Sequence, residues 1–486
     1  MKNIGILLVS LLIMTSCLNE FLDVTPKTDI ATVNFWKTSS DARSALNAAY
    51  AELQLCMVDN GGYNYAYLFE ARSDNFIGNN LLATPLVSAN FNFLTSTHPG
   101  SNWNHYYKMI SITNYALYYL PKMTSISEIQ RDHFLSEAYF LRAYSYFTLV
   151  RLWGDVPKIT EPVLAVTDVT KPFKASKDTI LSLISSDLKL SLQKVDETAA
   201  NVYLFNAGAL YALYTDFSMW IHDYDNAVLY SQKLYDISRF KLVAGVDFST
   251  VCSNGATTEN IWTLKWNFAN NSYNTAIYML NGQGQNVIIT ARPLRNLWAR
   301  PEWSTDIRRS QTIDITYNYA YNHIDNLDSR GSIWKWTPTI RLNKTTEVPV
   351  PLYRLADIIL LRAEALNKLG RTADALAELK KVRDRAGLAE KKIDEFSILT
   401  DKQRMDSVEN IILQERQFEL IGEGKRWFDL VRTGKAMSTM NNFFSTYIEK
   451  SSNQKPSHFT DEWQLYWPVY FNNIQENENI SQTGNY

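Results

Sequence analysis

The sequence predicts a mainly α-helical protein in which pairs of helices pack closely and long irregular stretches separate some of the pairs. Three segments carry this prediction, because their apolar residues recur at three- and four-residue steps. Apolar residues make up 46% and charged residues 20% of the 486 positions, a balance that excludes a disordered chain. The length alone fits about three domains or one large repeat architecture.

The first helical segment, residues 133–153, is apolar on almost every side. A helix with this pattern is expected to be enclosed by other helices. Gly154 and Pro157 follow the segment, and both residue types favour the end of a helix. An earlier helix pair is expected from residues 40–55 and 103–120.

The second and third segments, residues 207–238 and 354–387, each contain two apolar helical patterns joined by a short turn. Small residues in these patterns allow the two helices to approach closely. Gly370 and Gly387 predict the ends of the two helices in the third segment. Each segment resembles a tetratricopeptide unit, which is a helix–turn–helix repeat.

Two stretches between the helices, residues 59–107 and 262–336, are poor in charge and rich in aromatic residues and asparagine. The second stretch holds six of the thirteen tryptophans. We expect both to be long loops, which are usually functional when they are ordered. Aromatic rings can stack on the apolar faces of sugars while side-chain amides bond the hydroxyls, but the same rings can pack in the core.

The N-terminal residues 1–17 are typical of an export signal. Their apolar run at 4–14 spans about 16 Å as a helix, which is too short to cross a bilayer. Small residues precede Cys17, as in a bacterial lipobox, so we expect cleavage before Cys17 and lipid on its sulfur and amine. An ordinary signal peptide with a chance cysteine is the alternative. Cys56 and Cys252 could form a disulfide, but we favour free thiols.

The remaining motifs argue against an enzyme. The net charge of −2 does not suit a protein that neutralises nucleic-acid phosphates. The sequence has no motif for a metal, nucleotide or serine nucleophile. Glu415, Glu419 and Glu423 share one helix face, where a glycosidase could use two carboxylates, but nearby arginines favour an ion-pair network. The same interpretation applies to Glu364 near Arg362, so we predict no catalysis, metal or cofactor.

Several motifs follow one another along the chain. They are FLD at 21–23, NFW at 34–36, EAYFLRA at 137–143, RLWGDVP at 151–157, VPVPLYRLADIILLRAEALNKL at 348–369, VRDRAGL at 382–388, ERQFEL at 415–420, EGKRWFDLVRTGK at 423–435, WPV at 467–469 and NISQTGNY at 479–486. Together, and in this order, they resemble the SusD/RagB family over nearly the whole chain.

The resemblance implies an α-helical fold of four tetratricopeptide-like units that support a variable, loop-rich and partly irregular ligand-binding face. It divides the chain into a lipoprotein signal peptide at 1–16 and a single SusD-like domain at 17–486. Within that domain it implies helical units at about 40–120, 133–153, 205–238 and 354–388, variable loops at about 59–102 and 262–336, and a C-terminal family motif at 409–486.

The resemblance also implies a function. Proteins of this family are lipid-anchored at the cell surface of the outer membrane, where they cover a SusC-like, TonB-dependent transporter barrel and pass nutrients into it. The usual cargo is a glycan, some relatives take peptides, and no catalysis or cofactor is implied. We therefore expect capture of an oligosaccharide, with peptide capture by the same kind of complex as the alternative. A hydrolase and a purely structural scaffold are further alternatives that the residues disfavour.

Candidate ligand contacts lie in the two predicted loops. Alternation at Tyr63, Tyr65 and Tyr67 would place three phenols on one side of an extended segment, and the tyrosines at 317, 319 and 321 repeat this pattern. Asp74 and Asn75 match a Ser-Asp position that often faces the ligand in the family, although an Asx turn is the alternative.

Basic and aromatic residues meet again in the second loop. Arg292 lies near Trp298 and Trp303, and an arginine can stack on rings or bind a carboxylate. Ion pairing with Glu302 and Asp306 is the alternative. The complete set of candidate ligand contacts is Asp74, Asn75, Tyr63, Tyr65, Tyr273, Trp298, Trp303, Tyr317, Tyr319 and Arg292.

Overall fold

Helices dominate the computed structural model, which describes residues 35–78, 85–267, 274–276, 288–314, 332–333, 335–336, 347–451 and 455–486. Its α-helices are α1 (Ser39–Val58), α2 (Pro85–Asn90), α3 (Asn104–Tyr119), α4 (Glu128–Trp153), α5 (Lys177–Leu192), α6 (Ala207–Trp220), α7 (Tyr224–Tyr235), α8 (Thr250–Ser253), α9 (Arg292–Trp298), α10 (Arg308–Thr312), α11 (Leu355–Lys368), α12 (Thr372–Ala386), α13 (Asp401–Glu419), α14 (Arg426–Arg432), α15 (Ala436–Phe443), α16 (Glu449–Ser451) and α17 (Phe471–Glu476). Its strands are β1 (Phe76–Gly78), β2 (Val156–Pro157), β3 (Lys174–Ala175), β4 (Asn260–Leu264), β5 (Ile288–Thr290), β6 (Ile313–Asp314), β7 (Ser332–Ile333) and β8 (Val350–Arg354).

Four helix pairs form the frame: α1 with α3, α4 with α5, α6 with α7, and α11 with α12. Helix α11 also packs on α7 and α13, which joins the last two pairs to the C-terminal helices. The mainly α-helical, tetratricopeptide-like fold class is therefore confirmed. The early pair expected at 40–55 and 103–120 is present as α1 and α3, whereas no sequence pattern above indicates α5, the partner of α4.

Local residue chemistry explains the turns of the helical hairpins. His222 adopts a φ of 61°, and the side chain of Asp223 accepts a hydrogen bond of 3.2 Å from the backbone N–H of Asn226, which caps α7. Gly370 and Gly387 have φ values of 76° and 77°, a region that glycine enters without strain. The helix ends predicted at these two glycines are confirmed.

Helix α4 runs through the interior and is buried from Phe134 to Trp153 apart from Tyr139, as its apolar pattern predicts. Burial of a charged side chain is costly unless a partner compensates it. Each of its three buried charges has such a partner on another helix: Glu137 pairs with Arg43 at 2.8 Å, Arg142 with Asp187 at 2.8 Å, and Arg151 with Asp216 at 3.1 Å.

The strands form antiparallel pairs, β1–β5, β2–β3, β4–β8 and β6–β7, each of two strands. Strands β4 and β8 are buried along their whole length. From β4, the Trp262 ring contacts Phe140 and Tyr144 of α4 edge-on, with centroids 4.8 and 4.9 Å apart. The stretches predicted to be loops thus also contain short strands and helices.

The C-terminal segment returns to the end of α4. The backbone N–H of Trp467 donates to the carbonyl of Leu152 at 2.7 Å. Gln482 donates to the carbonyl of Val469 at 2.9 Å and accepts from its N–H at 2.6 Å. Gly484 has a φ of 56°, and a Cβ there would lie only 2.3 Å from the Trp463 indole, so the position requires glycine.

Much of the aromatic content is used for the core. Seven tryptophans are almost wholly buried: Trp153, Trp262, Trp266, Trp298, Trp336, Trp427 and Trp467. Cys56 and Cys252 are buried free thiols, as favoured from the sequence, and burial raises the pKa of each thiol. Among the described residues, no helix has the length and hydropathy needed to span a bilayer.

Candidate functional site

Strands β1, β5, β6 and β7 are buried along their described side chains, and we call the end at which other stretches of the chain attach to them the loop-bearing face. In the β1–β5 pair, Gly78 lies opposite Ile288, so residues 79–84 and 277–287 attach to the same end of this pair. In the β6–β7 pair, Asp314 lies opposite Ser332, and residues 315–331 connect the two strands at that end. Because β5 contacts β7, the attachment points of these three stretches belong to one surface.

Several predicted functional residues lie outside the described residues. Tyr317 and Tyr319 belong to the stretch that connects β6 to β7, and Tyr273 precedes the described residues 274–276. Next to it, the Asn274 amide donates to the carbonyl of Val348 at 2.7 Å. The lipidation site Cys17 also lies outside the described residues, so the roles of these four residues stay predictions.

Asp74 and Asn75 lie immediately before β1, at the base of the loop-bearing face. Arg426 donates to both carboxylate oxygens of Asp74, at 2.8 and 3.0 Å. Gln417 donates to Asn75 Oδ1 at 2.9 Å and to Asp74 at 3.3 Å. Burial lowers the pKa of Arg426, but the Asp74 carboxylate opposes this effect and leaves the pKa above its ordinary value. The pair therefore ties β1 to the C-terminal helices.

The two residues differ in access to solvent. The side chain of Asp74 is 18% exposed, so a hydroxyl group can still approach its carboxylate beside Arg426. Asn75 is 1% exposed, and its amide oxygen is occupied by Gln417. The structure corrects the expectation for Asn75, because this side chain positions β1 and does not face solvent.

The alternation predicted for Tyr63, Tyr65 and Tyr67 is wrong, because the backbone here is helical and forms a π-helical turn over Ala66–Glu70. Residues four apart are neighbours in such a turn, and the half-buried Tyr63 stacks on Tyr67 with ring centroids 5.7 Å apart. Tyr65 is buried and its hydroxyl donates to the carbonyl of Gly422 at 3.1 Å. Tyr65 is therefore a core residue, whereas Tyr63 keeps an accessible side.

The structure also corrects the prediction that Trp298 and Trp303 of the second loop contact a ligand. Trp298 stacks face to face on Phe418, with centroids 4.6 Å apart, and its indole N–H donates to Asp306 at 2.9 Å. Trp303 contacts the same phenylalanine edge-on at 4.5 Å. Both tryptophans are buried, so neither ring offers a face to a ligand. Arg292, the first residue of α9, is half-buried.

A network of buried charges lies beneath this face, as predicted for Glu415, Glu419 and Glu423. Its ion pairs join Arg308 to Asp306, Glu415 and Glu419, Arg354 to Glu259, Glu419 and Glu423, Arg383 to Glu415, Arg385 to Glu259 and Glu419, and Lys335 to Glu423. Burial raises the pKa of Glu419, but the surrounding arginines hold it well below its usual range. The network anchors the elements of the face to α13.

The ion pairing expected for Glu364 near Arg362 is present, and each of the two residues pairs with a residue of another helix. Glu364 pairs with Arg432 of α14, and Arg362 pairs with Glu378 of α12 at 3.2 Å. Glu364 of α11 therefore faces α14, and Glu378 of α12 faces α11. Helical spacing alone therefore indicated the ion pairing but not which helix supplies the cation.

Among the residues that the structure describes, no cation lies at hydrogen-bonding distance from the buried carboxyl group of Glu70. Glu70 is 1% exposed, and one of its oxygens accepts the backbone N–H of Gly424 at 2.5 Å, while the other has no hydrogen-bond partner among the described residues. Burial raises its pKa to about 8, against the opposing effects of the Gly424 N–H and Lys335, and Glu423 adds to the rise. Among the described residues, no group of three or more His, Cys, Asp or Glu side chains is placed to hold a metal ion.

Sequence reasoning missed two residues that position the candidate site. Gln417 and Arg426 hold Asp74 and Asn75, yet both lie in motifs that we used for the family resemblance. Their sequence neighbours gave no sign of this role, because the residues they bind are more than 340 positions away in the chain.

The fold is a helical-repeat scaffold, and three further stretches of the chain attach to it at the loop-bearing face. Two family models match the chain: the SusD family over residues 316–486, and a family described as starch-binding and associating with the outer membrane over residues 20–218. The chain belongs to the SusD/RagB family. It is 25% identical to SusD-like protein P38 of Formosa agariphila, in an alignment that covers 99% of this chain and 98% of that protein.

Solved structures share the architecture. A laminarin-binding SusD-like protein superimposes with a TM-score of 0.76 at 22% identity, covering 93% of this chain and all of the other. Surface glycan-binding protein A from Bacteroides fluxus gives a TM-score of 0.75 at 18% identity, again over 93% of this chain and all of the other. At these identities the likeness supports the fold alone.

Proposed function

We propose that this protein is a cell-surface lipoprotein of the outer membrane that captures an oligosaccharide and delivers it to a SusC-like, TonB-dependent transporter barrel. The observation that carries the proposal is the match of residues 20–218 to a family described as starch-binding and associating with the outer membrane. A laminarin-binding protein of the same architecture adds support for a glycan. In this proposal the protein binds its cargo and does not cleave it.

Maturation follows the same proposal. Residues 1–16 are removed, and Cys17 carries the lipid that tethers the single domain at 17–486.

We place the ligand on the loop-bearing face. Tyr63 and Asp74 supply a partly accessible ring and carboxylate there, and Tyr273, Tyr317 and Tyr319 are the aromatic residues proposed to stack on sugar rings. Arg292 is the basic residue proposed to bond hydroxyl or carboxylate groups. The buried charge network and the Asp74–Arg426 pair anchor the described elements at the base of this face to the C-terminal helices.

Isothermal titration of the soluble protein without residues 1–17 tests the proposal. The titrants are laminarin oligosaccharides, malto-oligosaccharides and a tryptic peptide pool. We expect a glycan to bind with micromolar to millimolar affinity, or about −4 to −8 kcal/mol. The Tyr317→Ala/Tyr319→Ala variant should lose this binding, because each ring removed takes away a stacking surface.

A matched control is Phe173→Ala, which removes an aromatic ring that is 71% exposed and lies outside the loop-bearing face. This variant should bind the glycan as the parent protein does. If only the peptides bind, the proposed glycan cargo is wrong and the cargo is a peptide. Hydrolysis of any titrant, seen as new reducing ends, would refute a role limited to binding.

A further inference from the structure

Residues 163–173, which we call the strap, expose an unusual number of apolar side chains. They lie in the loop between β2 and β3, whose pairing closes the loop at Val156–Ala175 and Pro157–Lys174. Five large apolar side chains of the strap are between 42% and 90% exposed: Val163, Leu164, Val166, Val169 and Phe173. Soluble proteins rarely leave such residues together at the surface unless they contact a partner.

Hydrogen bonds to the backbone fix both arms of the strap. At the first arm, Tyr115 donates to the carbonyl of Val163. At the second arm, Asn479 donates to the carbonyl of Lys171 at 2.7 Å and Asn477 to that of Pro172 at 2.9 Å. Between them, Asp168 accepts the N–H groups of residues 164 and 165 at 3.0 and 2.8 Å. The backbone is thus held in place while its apolar side chains stay uncovered.

We propose that the strap is the surface on which an outer-membrane barrel protein docks, an inference that rests on the proposed function. A fixed apolar surface loses little entropy on binding, and the centre of a protein interface is apolar with few charges. The strap therefore has the composition and the rigidity of an interface core.

The place where the tether joins the body supports a membrane-embedded partner. Trp36, the second described residue, stacks on Tyr119 of α3 with ring centroids 5.5 Å apart. One helical turn earlier on α3, Tyr115 bonds the strap at Val163. The described part of the chain thus begins beside the strap, and the proposed lipid anchor at Cys17 precedes this point in the sequence.

The charges of the strap favour a protein over lipid. The strap contains one acidic and one basic residue, Asp168 and Lys171, so its net charge is zero, and it contains no Trp or Tyr. Segments that bind a lipid surface usually carry clustered Lys and Arg, with Trp or Tyr at the level of the headgroups. The strap lacks both features, so its apolar side chains suit the apolar surface of a protein.

The test uses the full-length, affinity-tagged lipoprotein in the outer membrane of its own bacterium. The strap variant is Val166→Asp/Phe173→Asp, with Val166→Ser/Phe173→Ser as a milder second variant. The matched control is Val246→Asp/Ile398→Asp, which places the same charges at apolar residues that are 80% and 93% exposed elsewhere. The barrel that co-purifies is identified and quantified by mass spectrometry.

We expect both strap variants to retain at least about tenfold less barrel than the parent protein, because a charge or hydroxyl in an apolar interface core weakens binding strongly. The control should retain the parental amount. Equal retention by the strap variants and the control overturns the proposal, and so does loss in the control alone.

Two further measurements test whether a second copy of this chain or a lipid surface, and not the barrel, binds the strap. Soluble strap variants are compared with the parent by light scattering for self-association, and by sedimentation with phosphatidylethanolamine–phosphatidylglycerol vesicles for lipid binding. A strap-dependent dimer or strap-dependent vesicle binding, with unchanged barrel capture, overturns the barrel as the occupant. Glycan titration of the parent protein and the strap variants separates the docking proposal from the proposed function. If the strap variants lose barrel capture while neither they nor the parent bind any glycan, docking at the strap is supported and the glycan cargo is refuted.

Discussion

Glu70 provides a direct test of the electrostatics beneath the loop-bearing face. The substitution Glu70→Gln keeps the shape of the side chain and its acceptor for the Gly424 N–H, and it removes the ionisable carboxyl group. We expect the variant to be more stable than the parent protein at high pH, because the parent must then bury an ionised carboxylate that has only one hydrogen-bond partner.

The sign and the size follow from the pKa. Burial raises the pKa of Glu70 from 4.5 to about 8 on folding, so the folded state binds the proton more tightly than the unfolded state does. The free energy of unfolding therefore falls as the pH rises from about 4.5 to about 8 and levels off above that. At about 1.4 kcal/mol for each pKa unit, the loss is on the order of 3–5 kcal/mol.

Urea denaturation of the parent protein and the Glu70→Gln variant at several pH values between 5.5 and 9 measures this difference. The stability of the variant relative to the parent should increase across this range by about 3 kcal/mol, because the part of the change below pH 5.5 is not sampled. The exposed Glu128→Gln is the control and should follow the parent at every pH. A constant difference between the Glu70→Gln variant and the parent would show that Glu70 is already ionised in the folded state, and the reasoning would fail.

Three further substitutions test the packing. Trp298→Ala should lower the free energy of unfolding by about 3–5 kcal/mol in urea denaturation, since it leaves a cavity beside Phe418; an unchanged value would place the ring at the surface. Arg354→Met should lower the free energy of unfolding by about 3–5 kcal/mol, because it removes one buried cation from the network described above and leaves its carboxylates with a net negative charge. Arg371→Met, at an exposed pair, should cost less than about 1 kcal/mol; similar losses in calorimetry would contradict the argument. Gly484→Ala should lower Tm and change the near-ultraviolet circular dichroism of the indole it contacts, and parental values would show that the C-terminal turn adapts freely.

The helices could be predicted because their signals are local. The apolar pattern of residues 133–153 and the glycines at 370 and 387 indicate helix and helix end from a few neighbouring residues. Helix α5 was missed although its signals are also local, since Ile180, Ile184 and Leu188 recur at four-residue steps after the N-cap Ser176. The ion-pair network was also predictable in kind, because glutamates at four-residue steps near arginines favour pairing whatever the exact partners are.

The candidate site was harder to predict because solvent access depends on distant residues. Nothing near Trp298 in the sequence shows that Phe418 covers its ring, and nothing near Asp74 indicates Arg426. The tyrosines at 63, 65 and 67 follow a two-residue alternation that fits an extended strand, yet the backbone is helical and Tyr65 turns into the core. Periodicity shows which side chains share a face only after the backbone conformation is known.

The burial of the two thiols affects how the protein folds and how it reacts with oxidants and alkylating reagents. Because burial raises the pKa of Cys56 and Cys252, both stay protonated and react slowly with oxidants and alkylating reagents. The folded domain therefore needs no disulfide-forming catalyst for these two cysteines. In a form without Cys17, a single cysteine introduced at the surface would be the reactive thiol, and slow labelling of the two native thiols would report how often the core opens.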